Sequence, residues 1–374
     1  MPRVLAVDVY QVAMPLKYPW RTAYGEDHTI ETILLRLETS EAVGWGESSP
    51  LPRPHYVEQW SAAVFLCLQQ CLVPAVLGRS FDSPEQLQQA LAFVKGNTFA
   101  KAALDLAWWD AAARAQGVPL YRLLGGTREQ VPVGADFGVM DRPEELLPLV
   151  EQAVAQGFLR VKLKFRPGWD LPVVQAVRQR FPELVLHIDC NAGYTLQDAE
   201  LFEQLDRFHL AMYEQPLGYD DLWEHAQLQR RVQTPVCLDE SVRSLSLARQ
   251  ALALGSCRWL NIKPGRVGGL TVARQIAQLA ARHGVPCWVG GMLESALGAR
   301  HCVALGTLPG FDYPADIFPS DRFYEEDLCE PPLELERDTS GRPVACPLPA
   351  PGTGTKPRAD LLQSWMVNHF HAHV

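Results

Sequence analysis

The chain has 374 residues, a formal net charge of −9 and no run of basic residues, so it lacks the electrostatic footprint for nucleic acid or an anionic membrane surface. Its length exceeds one ordinary core and suits a barrel of typical size plus a smaller domain, acting on a small-molecule substrate. The 9 cysteines show no CxxC and no Cys/His cluster at zinc spacing, and they read as reduced thiols of a cytoplasmic protein. No apolar run approaches a membrane span, and 4–16 lacks a signal-peptide pattern.

Residues 1–128 read as an α+β domain. Extended segments are expected at 4–14 and 32–38, and the loop 48–56 is pre-shaped by Pro50, Pro52 and Pro54. Ser83-Pro84-Glu85 starts a helix with Ser as the cap. A helix over 98–115 sets Ala102, Leu106, Trp109 and Ala113 at helical spacing and stops at Gly117-Val-Pro119. From 129 to 330 the pattern changes to alternating short apolar runs and amphipathic stretches such as 198–208 and 270–283. Strands are expected at 131–139, 159–164, 184–189, 210–214, 236–239, 259–263, 286–290 and near 311–315. The last segment, 331–374, contains a Pro/Gly-rich stretch at 342–357 and is expected to return over the first domain.

Five charged residues end successive apolar runs in this middle region: Lys164, Asp189, Glu214, Asp239 and Lys263, spaced 25, 25, 25 and 24 residues apart. That interval is the length of one βα unit, so the fold class is α/β, a (β/α)₈-type barrel with an N-terminal capping domain. Strand ends in such a barrel face one rim, where active sites sit. Lys162 and Lys164 alternate with Val161 and Leu163 and so point into the mouth. Three carboxylates on consecutive strands suit a hard divalent cation, Mg²⁺ or Mn²⁺, although each alone could cap a helix. Glu240 is expected to support them from behind.

Lys263, on the sixth strand, lies across the ring from Lys164 on the second. Crowding by other cations, Arg266 among them, is expected to lower the pKa of these lysines toward that of a base; Arg266 reads equally well as a loop cation. Gly265, Gly268 and Gly269 form a tight turn. Gly290, Met292, Glu294 and Ser295 close the seventh strand, where small residues admit a ligand to the backbone. His301 and the other histidines read as structural or surface groups rather than metal ligands.

The motifs Val-Lys-Leu-Lys164, Glu214-Gln-Pro-Leu, Cys-Leu-Asp239-Glu-Ser, Asn-Ile-Lys263-Pro-Gly-Arg266-Val-Gly-Gly and Gly-Gly-Met-Leu-Glu294-Ser, with Trp-Trp-Asp110 and Leu-Leu-Gly-Gly126 ahead of them, resemble the enolase superfamily, muconate-lactonizing subgroup. Within it they are most similar to o-succinylbenzoate synthases and N-succinylamino acid racemases. The resemblance implies a homo-oligomer in which Asp189, Glu214 and Asp239 hold Mg²⁺ against a substrate carboxylate. Lys164 would remove the α-proton, and Lys263 would stabilise the resulting enediolate. A synthase would dehydrate 2-succinyl-6-hydroxy-2,4-cyclohexadiene-1-carboxylate for menaquinone biosynthesis; a racemase would use the two lysines on opposite faces.

A muconate cycloisomerase, or a metal-binding barrel without turnover, are more distant alternatives. The resemblance also assigns Thr22, Tyr24, Pro54 and Tyr56 to loops that close over the substrate, and it retains Asn191. The chain departs from the pattern at Cys190, at Arg300 and in the segment from Ala315 to Arg322. It lacks the Asp-x-Asp of dipeptide epimerases, and Lys263 stands where mandelate racemase types use histidine.

Overall fold

The computed structural model describes residues 2–374 and resolves into two layers joined at a rim. The first is a four-stranded antiparallel sheet ordered β11-β1-β2-β3, built from β1 (Val4–Thr22), β2 (Gly25–Thr39), β3 (Val43–Ser48) and the late strand β11 (Met366–His373). Helix α1 (Thr98–Ala115) lies on β3 almost backbone to backbone. A Cβ at Gly44 would sit 2.2 Å from the Ala107 carbonyl oxygen and one at Gly46 2.4 Å from that of Ala103, so both strand positions need glycine. Alanines at 103, 107 and 111 supply the matching flat helix face.

Asp110, from the Trp-Trp-Asp motif, fastens three segments here. Its carboxylate accepts from Trp45 N at 2.9 Å, Arg114 Nε at 2.7 Å and Thr353 N at 2.6 Å. The third bond and the β1–β11 ladder bring the segment after 330 back to this sheet, as its composition suggested.

The second layer is a curled parallel sheet in sequence order: β4 (Ala135–Phe137), β5 (Arg160–Lys164), β6 (Val185–Asp189), β7 (Tyr213–Glu214), β8 (Val236–Leu238), β9 (Trp259–Ile262) and β10 (Cys287–Val289). Helices cross between strands as the amphipathic stretches predict, one of them Leu270–Arg282. Two expectations need correction. The strand predicted at 131–139 is split, because Val131–Pro132 pairs instead with Pro343–Ala345 and only β4 joins the barrel. Gly134, between the two pieces, lies where a Cβ would meet Arg160 Cζ at 2.1 Å, so the chain bends over a buried guanidinium.

The eighth strand near 311–315 is no regular strand either. Pro314 lacks a donor, and the gap is bridged by Gly134 N to the Ala315 carbonyl at 3.0 Å and Asp316 N to the Val289 carbonyl at 2.9 Å. Seven strands and this irregular segment therefore close the ring. The sheet and ring are held together by Glu47 at the end of β3. Its buried carboxylate accepts from Ser295 N at 3.0 Å, Gly298 N at 2.8 Å and the Ser295 hydroxyl, thereby satisfying the N-terminus of α2 (Ala296–Gly306). All nine cysteines are free, and among the described residues no helix is long and apolar enough to cross a membrane.

Candidate active site

The strand register sets the charged residues level with one another. Lys164 pairs with Asp189 and Asp189 with Glu214 across neighbouring parallel strands, so their side chains leave the sheet at one height. Asp239 follows β8, its backbone N–H donating to Gln215 Oε1 at 3.0 Å. Lys263 follows β9 and precedes the short helical turn Pro264–Val267 that carries Arg266. All are buried. Of these, Lys164 and Lys263 reach a small cavity of about 40 Å³, lined further from the ring by Lys162, Asp136, Asp316, Asn191 and Met292 and from the capping sheet and its loops by Trp20, Tyr24, Leu51 and Tyr56; Asp189, Glu214, Asp239 and Arg266 are not part of its lining.

Two groups of ion pairs divide the site. On one side Lys164 Nζ lies 2.7 Å from Asp189 Oδ2, and Lys162 Nζ stands 3.3 Å from the same oxygen, 3.5 Å from Glu214 Oε2 and 3.5 Å from Asp136 Oδ2, while also bonding Asp316. On the other, Lys263 Nζ lies 2.9 Å from Asp239 Oδ2, and Arg266 pairs with the same carboxylate. Tyr56 hydroxyl sits in that second group. It donates to Asp239 and accepts from Lys263 Nζ at 3.1 Å and Arg266 Nη1 at 3.3 Å. The reading of Arg266 as a loop cation falls with this geometry, since its guanidinium is fully buried and also bonds the carbonyls of Val242 and Asn261.

The lysines are not tuned down as expected. Burial opposes the charge on Lys164 most strongly, but the Asp189 carboxylate together with Asp136 and Tyr24 overcomes it and holds the ammonium above its ordinary pKa. Lys263 is likewise raised: burial opposes its charge, and Tyr56, Glu240 and the further carboxylates overcome that. At both, the facing acidic groups, carboxylates and at Lys263 first the Tyr56 phenol, together outweigh burial and the neighbouring cations. Glu240, beside Asp239, accepts from Asn191 Nδ2 at 3.2 Å and is pushed up to about 7 by burial and by Asp189.

The donor set fits a hard dication by its chemistry: carboxylate oxygens at three adjacent strand ends, with Glu214 Oε2 and Glu240 Oε2 buried and without a hydrogen bond. The cationic side chains divide those carboxylates. Among the described residues no three His, Cys, Asp or Glu groups are drawn around one point.

Several predicted residues lie elsewhere. Pro54 is exposed and Thr22 is buried outside the cavity lining. Ser295 is engaged by Glu47, and Glu294 turns back to accept from Met292 N at 2.7 Å. Gly290 serves packing, because a Cβ there would meet Asn261 Oδ1 at 2.2 Å. His301 bridges two helices through the carbonyls of Leu297 and Leu106, a structural role as expected.

Sequence reasoning missed Asp136, Asp316 and Asn261. Asn261 donates to Glu214 Oε1 at 2.5 Å, and its alternation with Lys263 in Asn-Ile-Lys was the available signal. Asp136 falls inside the predicted first strand, whereas Asp316 sits in the irregular eighth segment, which carries no periodic pattern.

Comparison with known proteins agrees with this architecture. Residues 4–125 match the mandelate racemase / muconate lactonizing enzyme N-terminal domain, and 145–361 the enolase C-terminal domain-like family. The chain is 44% identical over 323 residues to an o-succinylbenzoate synthase of Geobacillus kaustophilus, covering 86% of each. It is 42% identical over 334 residues to an N-succinylamino acid racemase of Thermus thermophilus, covering 89% of this chain and 90% of that one. The solved structure of an enolase superfamily member from Listeria innocua superposes with a TM-score of 0.94 at 36% identity over 100% of both chains. The chain is thus an enzyme of the enolase superfamily, in its mandelate racemase / muconate lactonizing enzyme family, and resembles o-succinylbenzoate synthases and N-succinylamino acid racemases.

Proposed function

We propose that the protein is an o-succinylbenzoate synthase, dehydrating 2-succinyl-6-hydroxy-2,4-cyclohexadiene-1-carboxylate on the way to menaquinone. The observation that carries this reading is one cavity reached by Lys164 and Lys263 from strands across the ring, each lysine paired with a strand-end carboxylate, Asp189 and Asp239 respectively. Asp189, Glu214 and Asp239 would hold Mg²⁺, which when bound offsets the negative charge of the substrate carboxylate and of its deprotonated form. With Asp189 engaged in holding Mg²⁺ rather than paired to Lys164, that lysine would be released to its neutral form and take the proton α to the substrate carboxylate. The C–O bond to the hydroxyl then breaks, and the Lys164 ammonium returns the proton to the departing hydroxide as water, so the lysine ends as it began. Lys263 stays protonated and stabilises the charge that develops on the other face. Tyr24 and Tyr56 exclude water from above.

A second reading, N-succinylamino acid racemase, is favoured by Arg266. Its guanidinium shares Asp239 and Tyr56 with Lys263, giving the second lysine a fixed setting from which to act as acid or base. In that reaction one lysine removes the α-proton and the other delivers a proton to the opposite face. The test is to incubate the purified protein with Mg²⁺ and each substrate, following o-succinylbenzoate formation and α-proton exchange of N-succinylamino acids in D₂O. Turnover of the first substrate is expected; no turnover of either would sink both readings.

A further inference from the structure

The outward face of the capping sheet carries a cluster that the active site does not use. In β11, His369, His371 and His373 are two residues apart, so strand alternation sets them on one face while Phe370 and Ala372 pack against the core. The ladder to β1 places His371 opposite Asp8 and His369 opposite Tyr10. One oxygen, Asp8 Oδ1, accepts from both rings: His369 Nε2 at 3.2 Å and His371 Nδ1 at 2.8 Å. The His369 ring lies flat on Tyr10, with centroids 4.5 Å apart and planes at 8°. Both rings are partly open to solvent, at 38% and 45%, whereas Asp8 is 11% exposed.

We propose that Asp8, His369 and His371 form a surface site for a zinc-type dication, clipping β11 onto β1. Two imidazoles spaced by one residue on a strand face reach a common ion, and imidazole with carboxylate is a donor set that borderline transition metals prefer. Hard Mg²⁺ selects the oxygen-only rim instead. The nearby charges permit a cation, since Asp8 and Glu38 outnumber Arg36, which bonds both at 3.1 and 2.8 Å. The three side chains are at present joined by hydrogen bonds rather than spread as ligands, in keeping with the absence of any ready three-ligand cluster among the described residues. Binding replaces the two N–H···O bonds by bonds from the same nitrogens to the ion, each ring carrying its proton on the other nitrogen. The exposed rings need only turn about their side-chain bonds.

The test uses the full chain, stripped by chelator and held in excess Mg²⁺ to occupy the rim, then titrated with Zn²⁺ by calorimetry. Wild type is expected to take up one more equivalent than a His369→Ala/His371→Ala variant, and Zn²⁺ to raise the melting temperature of wild type alone. Asp8→Asn should weaken this binding by more than about tenfold. The histidine variants should keep wild-type turnover with Mg²⁺. His371→Gln, which preserves size and polarity, must lose the same equivalent, and this guards against a folding defect in the double variant. Equal Zn²⁺ stoichiometry and affinity in wild type and the histidine variants would overturn the proposal.

Discussion

On the ring side of the cavity, Lys164, Asp189 and Glu214 stand level because parallel strands pair them residue by residue. On the capping side, Tyr24 and Tyr56 arrive at the end of a hairpin and on a Pro-rich loop. They are held by stacking of Tyr24 on His55, with centroids 4.8 Å apart, and by the bonds from Lys263 and Arg266 to the Tyr56 hydroxyl. The first kind of placement survives loss of any one side chain, since the backbone ladder sets it. The second depends on contacts across the joint, so a capping residue can be displaced by a change in the ring. The charged residues of the ring are therefore placed by the backbone, and the capping tyrosines by contacts across the joint.

The sharpest way to break this contrast is Lys164→Ala. It should lower kcat for both o-succinylbenzoate formation and proton exchange by about a thousandfold, leaving the melting temperature near wild type. Lys263→Ala should abolish racemisation to a similar degree, read as loss of α-deuterium incorporation; unaffected racemisation would refute the account of opposed lysines. On the capping side, Tyr56→Phe removes a hydroxyl shared by Asp239, Lys263 and Arg266. It should cost about tenfold to a hundredfold in kcat/KM, measured by steady-state kinetics.

Gly46→Ala pushes a Cβ onto the backbone of α1 and should lower stability by about 1–3 kcal/mol in denaturant unfolding, with kcat little changed. The smallest effect concerns pH. Burial raises the carboxyl of Asp105 to about 6 from 3.8, despite bonds from Thr271 and Gln88. A carboxyl raised on folding contributes stability that is complete below its unfolded value and lost as pH rises through its folded one. Asp105→Asn should therefore flatten the fall in melting temperature across that window.

What the sequence made legible follows from periodicity. The near-constant interval from Lys164 to Lys263 marks strand ends, and a strand end sets both height and direction, so Lys162, Lys164, Asp189, Glu214, Asp239 and Lys263 could be located together. Asn191 and Met292 were found through their motifs. Asp316 was not, because the eighth segment has Pro314 in place of a ladder donor and closes the ring by isolated bonds. Its partner Arg160 was hidden differently, as a fully buried cation within a run otherwise read for its lysines. Pro54 lies outside the cavity lining for a third reason: proline restricts a loop's shape without saying which side chain faces inward. Ser295 and Glu47 show the same limit, since one carboxylate joining positions 248 residues apart leaves no local signal.

The pairing of β11 with β1 has a consequence for how the chain is made. The strand that flanks the first one leaves the ribosome only after every strand of the ring, and Thr353, which completes the bonds to Asp110, is also late. Through most of synthesis β1 therefore offers an unpaired edge, and it still does after residue 316 has emerged and the ring is able to close. Such an edge invites pairing with another nascent chain, and the stage between completion of the ring and arrival of β11 is where aggregation should be most sensitive to chaperone supply.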